Sequence, residues 1–124
     1  MALQIPAEQM EQYKRTARAR GQAERERRDA RRERAWQLAR QTAELLKRDY
    51  DVQRVVVFGS LIQSDRFTQR SDVDLAAWGL TSANWLRAIG AVNELSDEIE
   101  LNLVDVACCS PELLAAIERD GVPL

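Results

Sequence analysis

Two carboxylates, Asp72 and Asp74, lie two residues apart in an otherwise apolar stretch, SDVDLAAWGL. Residues two apart on a β-strand project to the same side, so both carboxylates face one way while Val73 and Leu75 enter the core. Two neighbouring anions repel one another and are costly to bury. Mg²⁺ removes that cost because it prefers oxygen ligands and also binds substrate phosphates. The pair therefore predicts a magnesium site.

A second candidate motif, the dipeptide Gly59-Ser60, follows the apolar run VVVF. Glycine lets the backbone turn and approach a ligand closely, and the Ser60 hydroxyl with the amides of a following helical turn could hold a triphosphate. Each motif alone has a plainer reading, Gly59-Ser60 as a simple turn and Asp72-Val73-Asp74 as a solvated acidic pair. Both in this order on consecutive strands are far more specific, and they predict phosphoryl or nucleotidyl transfer.

The elements that must position these residues follow from composition and periodicity. Good helix formers fill residues 6 to about 49, with a break expected near Gly21. Three β-rich runs and two capped amphipathic segments follow. The predicted strands are residues 54–58, 72–78 and 99–106, and the predicted helices begin near Thr81 or Ser82 and at Ser110-Pro111. This order predicts an α/β fold, a small sandwich with helices against one face of a short sheet, preceded by a long N-terminal helix.

Charge divides the chain in two. Residues 1–50 hold 13 Lys+Arg against 8 Asp+Glu, whereas residues 51–124 hold 5 against 12. We expect residues 1–31 to form a charged helical arm, in part disordered, and residues 32–124 to form the domain that carries the site. The arm is interpreted as solvated or as gripping an acidic partner, in preference to binding nucleic acid.

Composition narrows the remaining classes of protein. The chain contains no His, so a metal site and a general base are expected to use carboxylates. No apolar run is long enough to span a membrane, and the N-terminus lacks the order of a secretory signal. Cys108 and Cys109 are adjacent, and neighbouring cysteines rarely meet disulfide geometry. These features predict a reduced, cytoplasmic protein.

The stretch FGSLIQSDRFTQRSDVDLAAWGL resembles the signature of minimal nucleotidyltransferases of the DNA polymerase β superfamily. That signature is Gly-Ser followed, after a short spacer, by Asp-x-Asp; here eleven residues intervene. The resemblance covers residues 54 to about 124 and takes in the amphipathic helix just upstream. The segments SDVDLAAWGL and AIERDGVPL are typical of small stand-alone bacterial members.

The resemblance implies an activity and a partner. Many such proteins are antitoxins paired with a HEPN-domain ribonuclease toxin, and they transfer AMP from ATP to a tyrosine of the toxin, using Mg²⁺. Carried over by residue, Gly59 and Ser60 would hold the nucleotide phosphates, and Asp72 and Asp74 the metal. Arg66, between the two halves of the motif, is a further candidate for binding the nucleotide phosphates.

One position departs from the family pattern, which places a third carboxylate on the next strand. Matching IELNLVDVACC to that pattern puts Asn102 at this position. Glu100 lies one pleat away on the same strand face and could reach the site, whereas Asp105 falls on the opposite face. An amide offers a neutral oxygen to a metal but cannot act as a base. Either Glu100 is the third catalytic and metal-binding residue, or the protein is a weakened transferase that neutralises its partner by complex formation.

A third interpretation is a nucleotidyltransferase that modifies a small molecule or an RNA end. It is less favoured because no second substrate-binding domain fits in the residues after Val106. The neighbouring gene separates these interpretations, since an antitoxin is expected beside a small helical HEPN protein.

Overall fold

A long helix leads into a small sheet in the computed structural model, which describes residues 6–124. The helices are α1 (Ala7–Asp49), α2 (Trp85–Asn93) and α3 (Pro111–Asp120), and the strands are β1 (Arg54–Phe58), β2 (Val73–Trp78), β3 (Leu101–Asp105) and β4 (Val122–Pro123). Short 3₁₀ helices follow β1 (Gly59–Ile62) and β3 (Val106–Cys108). The predicted α/β class, with a short mixed sheet and helices behind a long N-terminal helix, is confirmed.

The four strands form one mixed sheet in the order β3-β2-β1-β4. Strand β1 runs antiparallel to β2 and β4, whereas β2 and β3 are parallel. The three longer strands lie within the predicted segments. The last two-residue strand was not predicted, because it pairs through only two residues and has no periodicity of its own.

Helices cover both faces of the sheet, so the expectation of helices against one face is wrong. Helices α1 and α2 share a core with Val55 and Val57 of β1. Val56 points the other way and packs with Ala76 and with Ile117 of α3. Both alternating sets of residues along the two central strands are apolar, so each face needs a cover.

Helix α1 is buried only along its C-terminal half. Its buried residues are Ala35, Leu38, Ala39, Thr42, Ala43 and Leu46, which confirms the predicted apolar stripe. The expected break near Gly21 is wrong, because the helix continues through it. One glycine costs about 1 kcal/mol relative to alanine, and the strong helix formers on either side offset that cost. The boundary at residues 31 and 32 stays a prediction. No helix among residues 6–124 combines the length and apolarity needed to cross a bilayer.

The docking of α1 can be tested with two leucines of opposite exposure. Leu46 on α1 is fully buried, whereas Leu86 on α2 is 80% exposed. We expect Leu46→Ala to lower the free energy of unfolding by about 2–5 kcal/mol through lost burial and an unfilled cavity. The control Leu86→Ala should change it by about 0.5 kcal/mol or less. Urea denaturation followed by circular dichroism measures both, and equal effects would contradict the described core.

Candidate functional site

The turn after β1 brings the backbone against a carboxylate of β2. Phe58 lies opposite Asp74 in the antiparallel pairing, and the chain then enters the 3₁₀ helix at Gly59. Gly59 has φ +77°, which glycine adopts without strain. A Cβ atom at this position would overlap the Asp74 carboxylate. Glycine is therefore required twice here, by the backbone angle and by the neighbouring side chain.

The parallel pairing of β2 with β3 sets Asp74 beside Asn102. Asn102 Nδ2 donates a hydrogen bond of 3.1 Å to Asp74 Oδ1. This is the placement that matching the third strand to the family pattern predicted for Asn102. An amide thus lies next to the Asp-x-Asp pair, where it can donate an N–H or offer a neutral oxygen.

The surroundings of Asp74 disfavour the negatively charged form of its carboxyl group. Burial raises the pKa of this half-buried carboxyl, the Asn102 hydrogen bond opposes the rise, and the nearby negative charge of Asp72 adds to it. The net effect is a raised pKa, which means that the folded protein disfavours the ionised form. A divalent cation between the two carboxylates would relieve both the burial and the repulsion.

The other predicted residues are placed as follows. Ser60 is half-buried in the 3₁₀ helix, and Asp72 is half-buried just before β2. Arg66 is exposed in the connecting turn, where its backbone N–H donates to Gln63 O. Asp105 caps the 3₁₀ helix after β3 by accepting from Ala107 N, which agrees with its predicted absence from the site. The roles of Ser60 and Arg66 stay predictions.

Glu100 lies just outside β3 with an exposed side chain. Its backbone oxygen accepts from Val73 N, which fixes the start of the β2–β3 pairing. Within residues 6–124, no three acidic or cysteine side chains are grouped closely enough to hold a metal ion. The structure therefore brings Asp72, Asp74 and Asn102 together but does not assemble a three-carboxylate cluster with Glu100.

The donor set still fits a magnesium ion. Asp72 and Asp74 offer hard, anionic oxygens, and Asn102 adds a neutral amide oxygen if its side chain turns over. Magnesium commonly uses one or two protein carboxylates and completes its shell with water and substrate phosphates. Two carboxylates are therefore a sufficient protein contribution for a nucleotide-bound ion.

Two arginines of α1 contact this region, and no spacing in the sequence indicates it. Arg32 Nη2 donates to Leu61 O at 3.0 Å, and Arg31 Nη2 donates to Ser71 O at 3.1 Å. Leu61 follows Ser60, and Ser71 precedes Asp72. A helix pattern reports which face is apolar, but it does not report which distant carbonyl an arginine reaches.

The required glycine can be tested against a permissive one. Gly59→Ala places a side chain at positive φ and against Asp74, so we expect a loss of about 1–3 kcal/mol in unfolding free energy. An added Cβ at Gly90 in α2 meets no atom within 4 Å. Gly90→Ala should therefore raise stability by about 0.5–1 kcal/mol. Changes of the same sign in denaturant titrations would contradict the described turn.

The raised pKa of Asp74 predicts a pH-dependent stability difference. Asp74→Asn removes the charge and keeps the shape, so it should stabilise the metal-free protein near pH 7. Below the ordinary pKa of 3.8, the carboxyl is protonated in the folded and unfolded states, and the difference should vanish. As pH rises through the raised folded pKa, the wild type should lose stability relative to the variant. Melting temperatures in chelator from about pH 3 to 7 test this, and a difference that stays constant over this range would contradict it.

Comparison with known proteins identifies the family of the chain. The sequence profile described as "Polymerase beta, Nucleotidyltransferase" matches residues 40–124. A search of curated proteins finds no significant sequence match.

Solved structures agree with that match. The chain is similar to a crystal structure of a mutant of the toxin–antitoxin MntA-HpeT, with 25% identity over 68% of this chain and 69% of that chain and a TM-score of 0.55. A crystal structure of the toxin–antitoxin with AMP-PNP shares the fold, with 23% identity over 67% and 69% of the two chains and a TM-score of 0.55. The chain belongs to the polymerase β nucleotidyltransferase family.

Proposed function

We propose that the chain is the antitoxin of a toxin–antitoxin pair, and that it transfers AMP from ATP to a tyrosine of a HEPN-type ribonuclease toxin. The partner is thereby silenced. Family membership supports nucleotidyl transfer. The observation that carries the antitoxin assignment is the likeness to MntA-HpeT, which extends over two thirds of both chains.

The site chemistry supports ATP as the nucleotide donor. A toxin–antitoxin of the same fold has been crystallised with AMP-PNP, an ATP analogue. In this chain, the 3₁₀ helix that begins at Gly59 contains Ser60, whose hydroxyl and neighbouring amides would bind the phosphates. Arg66 is free to reach the same phosphates from its exposed turn.

Asp72 and Asp74 would hold Mg²⁺, with Asn102 as a neutral third ligand. Bound there, the ion would supply charge neutralisation for the triphosphate and for the departing pyrophosphate. The protein residues supply the rest: the paired strands fix both carboxylates, and the turn at Gly59 lies directly against Asp74. Fixed ligands need no rearrangement when charge develops in the transition state.

The transfer itself exchanges one phosphorus–oxygen bond for another. The phenolic oxygen of the acceptor tyrosine bonds to the α-phosphorus, and the bond from that phosphorus to the β-bridging oxygen breaks. Pyrophosphate leaves with the bond electrons. The phenolic proton must pass to a base, and we assign this role to Glu100, an exposed carboxylate that immediately precedes the third strand.

Asn102 separates two versions of the proposal. If Glu100 moves into the site when substrate binds, the enzyme is active with a longer side chain replacing the third acid. If Glu100 stays outside, Asn102 marks a weakened site, and the antitoxin acts mainly by forming a complex. The present position of Glu100, exposed and outside β3, makes this an experimental question.

An assay of AMP incorporation into the purified HEPN-type partner decides between them. In the active version, Glu100→Gln should reduce transfer about as strongly as Asp72→Asn, because each removes a metal ligand or base that the transition state requires. Asn102→Asp should then change little. In the weakened version, Glu100→Gln should be silent, and Asn102→Asp should raise transfer by roughly tenfold or more. Glu94→Gln, which alters an exposed carboxylate at the end of α2, is the matched control.

The assay also distinguishes two outcomes in which no AMP is transferred. If the wild type and every variant fail to transfer AMP while the complex forms, binding alone explains the antitoxin. Failure both to transfer AMP and to bind the partner would reject the antitoxin proposal. Transfer to a small molecule or an RNA end would then be the reaction to test.

A further inference from the structure

We propose that Arg31 and Arg32 are positioning residues for nucleotidyl transfer, which rests on the proposed function. Together they fasten the loop that follows Ser60 and the loop that precedes Asp72 to a single rigid helix. Both arginines lie upstream of the matched family region, residues 40–124. The fastening therefore comes from residues outside the matched region.

Arg32 holds the phosphate-binding side of the site. Its Nη2 donates to Leu61 O at 3.0 Å, and the Leu61 side chain is fully buried in the core below α1. Ser60 O accepts from Gln63 N within the same 3₁₀ helix. Ser60 is thus held from both sides, because its neighbour is tied to α1 and its own carbonyl is tied to the turn.

Arg31 holds the metal-binding side. Its Nη2 donates to Ser71 O at 3.1 Å, and its Nη1 donates to Glu98 O at 3.4 Å in the segment before β3. The Ser71 hydroxyl accepts from Thr68 N at 2.9 Å, so the turn entering Asp72 is fixed at both ends. One guanidinium thus joins the approaches to β2 and β3, the strands that carry Asp74 and Asn102.

The burial of these two side chains indicates a specific role. Both are half-buried, and their Nε atoms, like that of Arg28, are buried without a hydrogen-bond partner in the described part of the chain. A buried unpaired donor lowers stability. Simple docking of α1 does not need this cost, because the apolar stripe and the exposed Arg34–Glu98 pair already attach the helix.

The hydrogen-bond acceptors of Arg31 and Arg32 are uncharged, so these bonds do not neutralise the two guanidinium groups. Arg31 and Arg32 donate to backbone carbonyls, and neither forms an ion pair within residues 6–124. The two charges therefore add positive potential beside a site that must attract a triphosphate, although Arg31 also interacts with the nearby Glu98 carboxylate. Precise geometry matters as much, since misplacing a reacting group by about 1 Å can cost about 100-fold in rate.

Hydrogen exchange of the unliganded protein provides a readout that does not depend on catalysis. We expect Arg32→Ala to speed amide exchange in residues 59–63, and Arg31→Ala to speed it in residues 68–74 and at the start of β3. Arg34→Ala is the matched control, because Arg34 lies on the same helix and, among residues 6–124, its side chain donates only to the Glu98 carboxylate. It should loosen neither loop. No local change, or an equal change throughout the protein in all three variants, would overturn the proposal.

Function is then measured with the intact protein and its partner. At saturating ATP and Mg²⁺, Arg31→Ala and Arg32→Ala should lower kcat about tenfold or more while Arg34→Ala stays near wild type. Arg32→Lys, which keeps a donor, should recover part of the loss. Loosened loops with unchanged kcat would overturn the positioning role. If the wild type itself transfers no AMP, calorimetric binding of AMP-PNP with Mg²⁺ decides: affinity lowered only by the two loop variants supports the inference, and equal affinities reject it.

Discussion

The packing of the Asp74 side chain between Gly59 and Asn102 is the constraint on which the rest of the site depends. It requires two strand registers at once, the antiparallel pairing that sets Phe58 opposite Asp74 and the parallel pairing that sets Asp74 opposite Asn102. A slip of one residue in either pairing would turn the carboxylate toward the α1 face. That slip would bury the Asp74 carboxylate where Val73, Leu75 and Ala77 now fill the core, so the core and the site specify each other.

The same contact explains why the pKa of Asp74 is raised. Asp74 is half-buried beside a second carboxylate, and an amide hydrogen bond offsets only part of the penalty. Holding the ionised Asp74 carboxylate in this position lowers the stability of the fold, and a bound cation would offset that loss. An asparagine in place of a third acid lowers the repulsion in the free protein. An amide cannot act as a base, so the proposed transfer would need a base from another residue.

The sequence predicted the features that arise from short patterns. The Gly59 turn, the paired aspartates and the apolar stripe of α1 each follow from local spacing. The position of Asn102 followed instead from the family resemblance, by matching the third strand to the family pattern. Coverage of both sheet faces was missed, although the alternate apolar residues Val56 and Ala76 carried the signal. The contacts of Arg31 and Arg32 were not predictable, because a charged helix encodes propensity and not the distant carbonyls that its arginines reach. They also cross the expected boundary between arm and domain, which separates residue 31 from residue 32.

The basic helix thus packs on the acidic domain through its apolar stripe. Its arginines Arg31 and Arg32 contact the loops on either side of the candidate site. The central claim is that two aspartates and one asparagine suffice to bind a divalent cation with a nucleotide. Electron paramagnetic resonance of Mn²⁺, a magnesium substitute, counts the free ion directly in the presence of AMP-PNP. The account predicts that the wild type removes more Mn²⁺ from solution than the nucleotide alone does, and that Asp72→Asn/Asp74→Asn removes none beyond the nucleotide. Equal Mn²⁺ binding by the two proteins would contradict it.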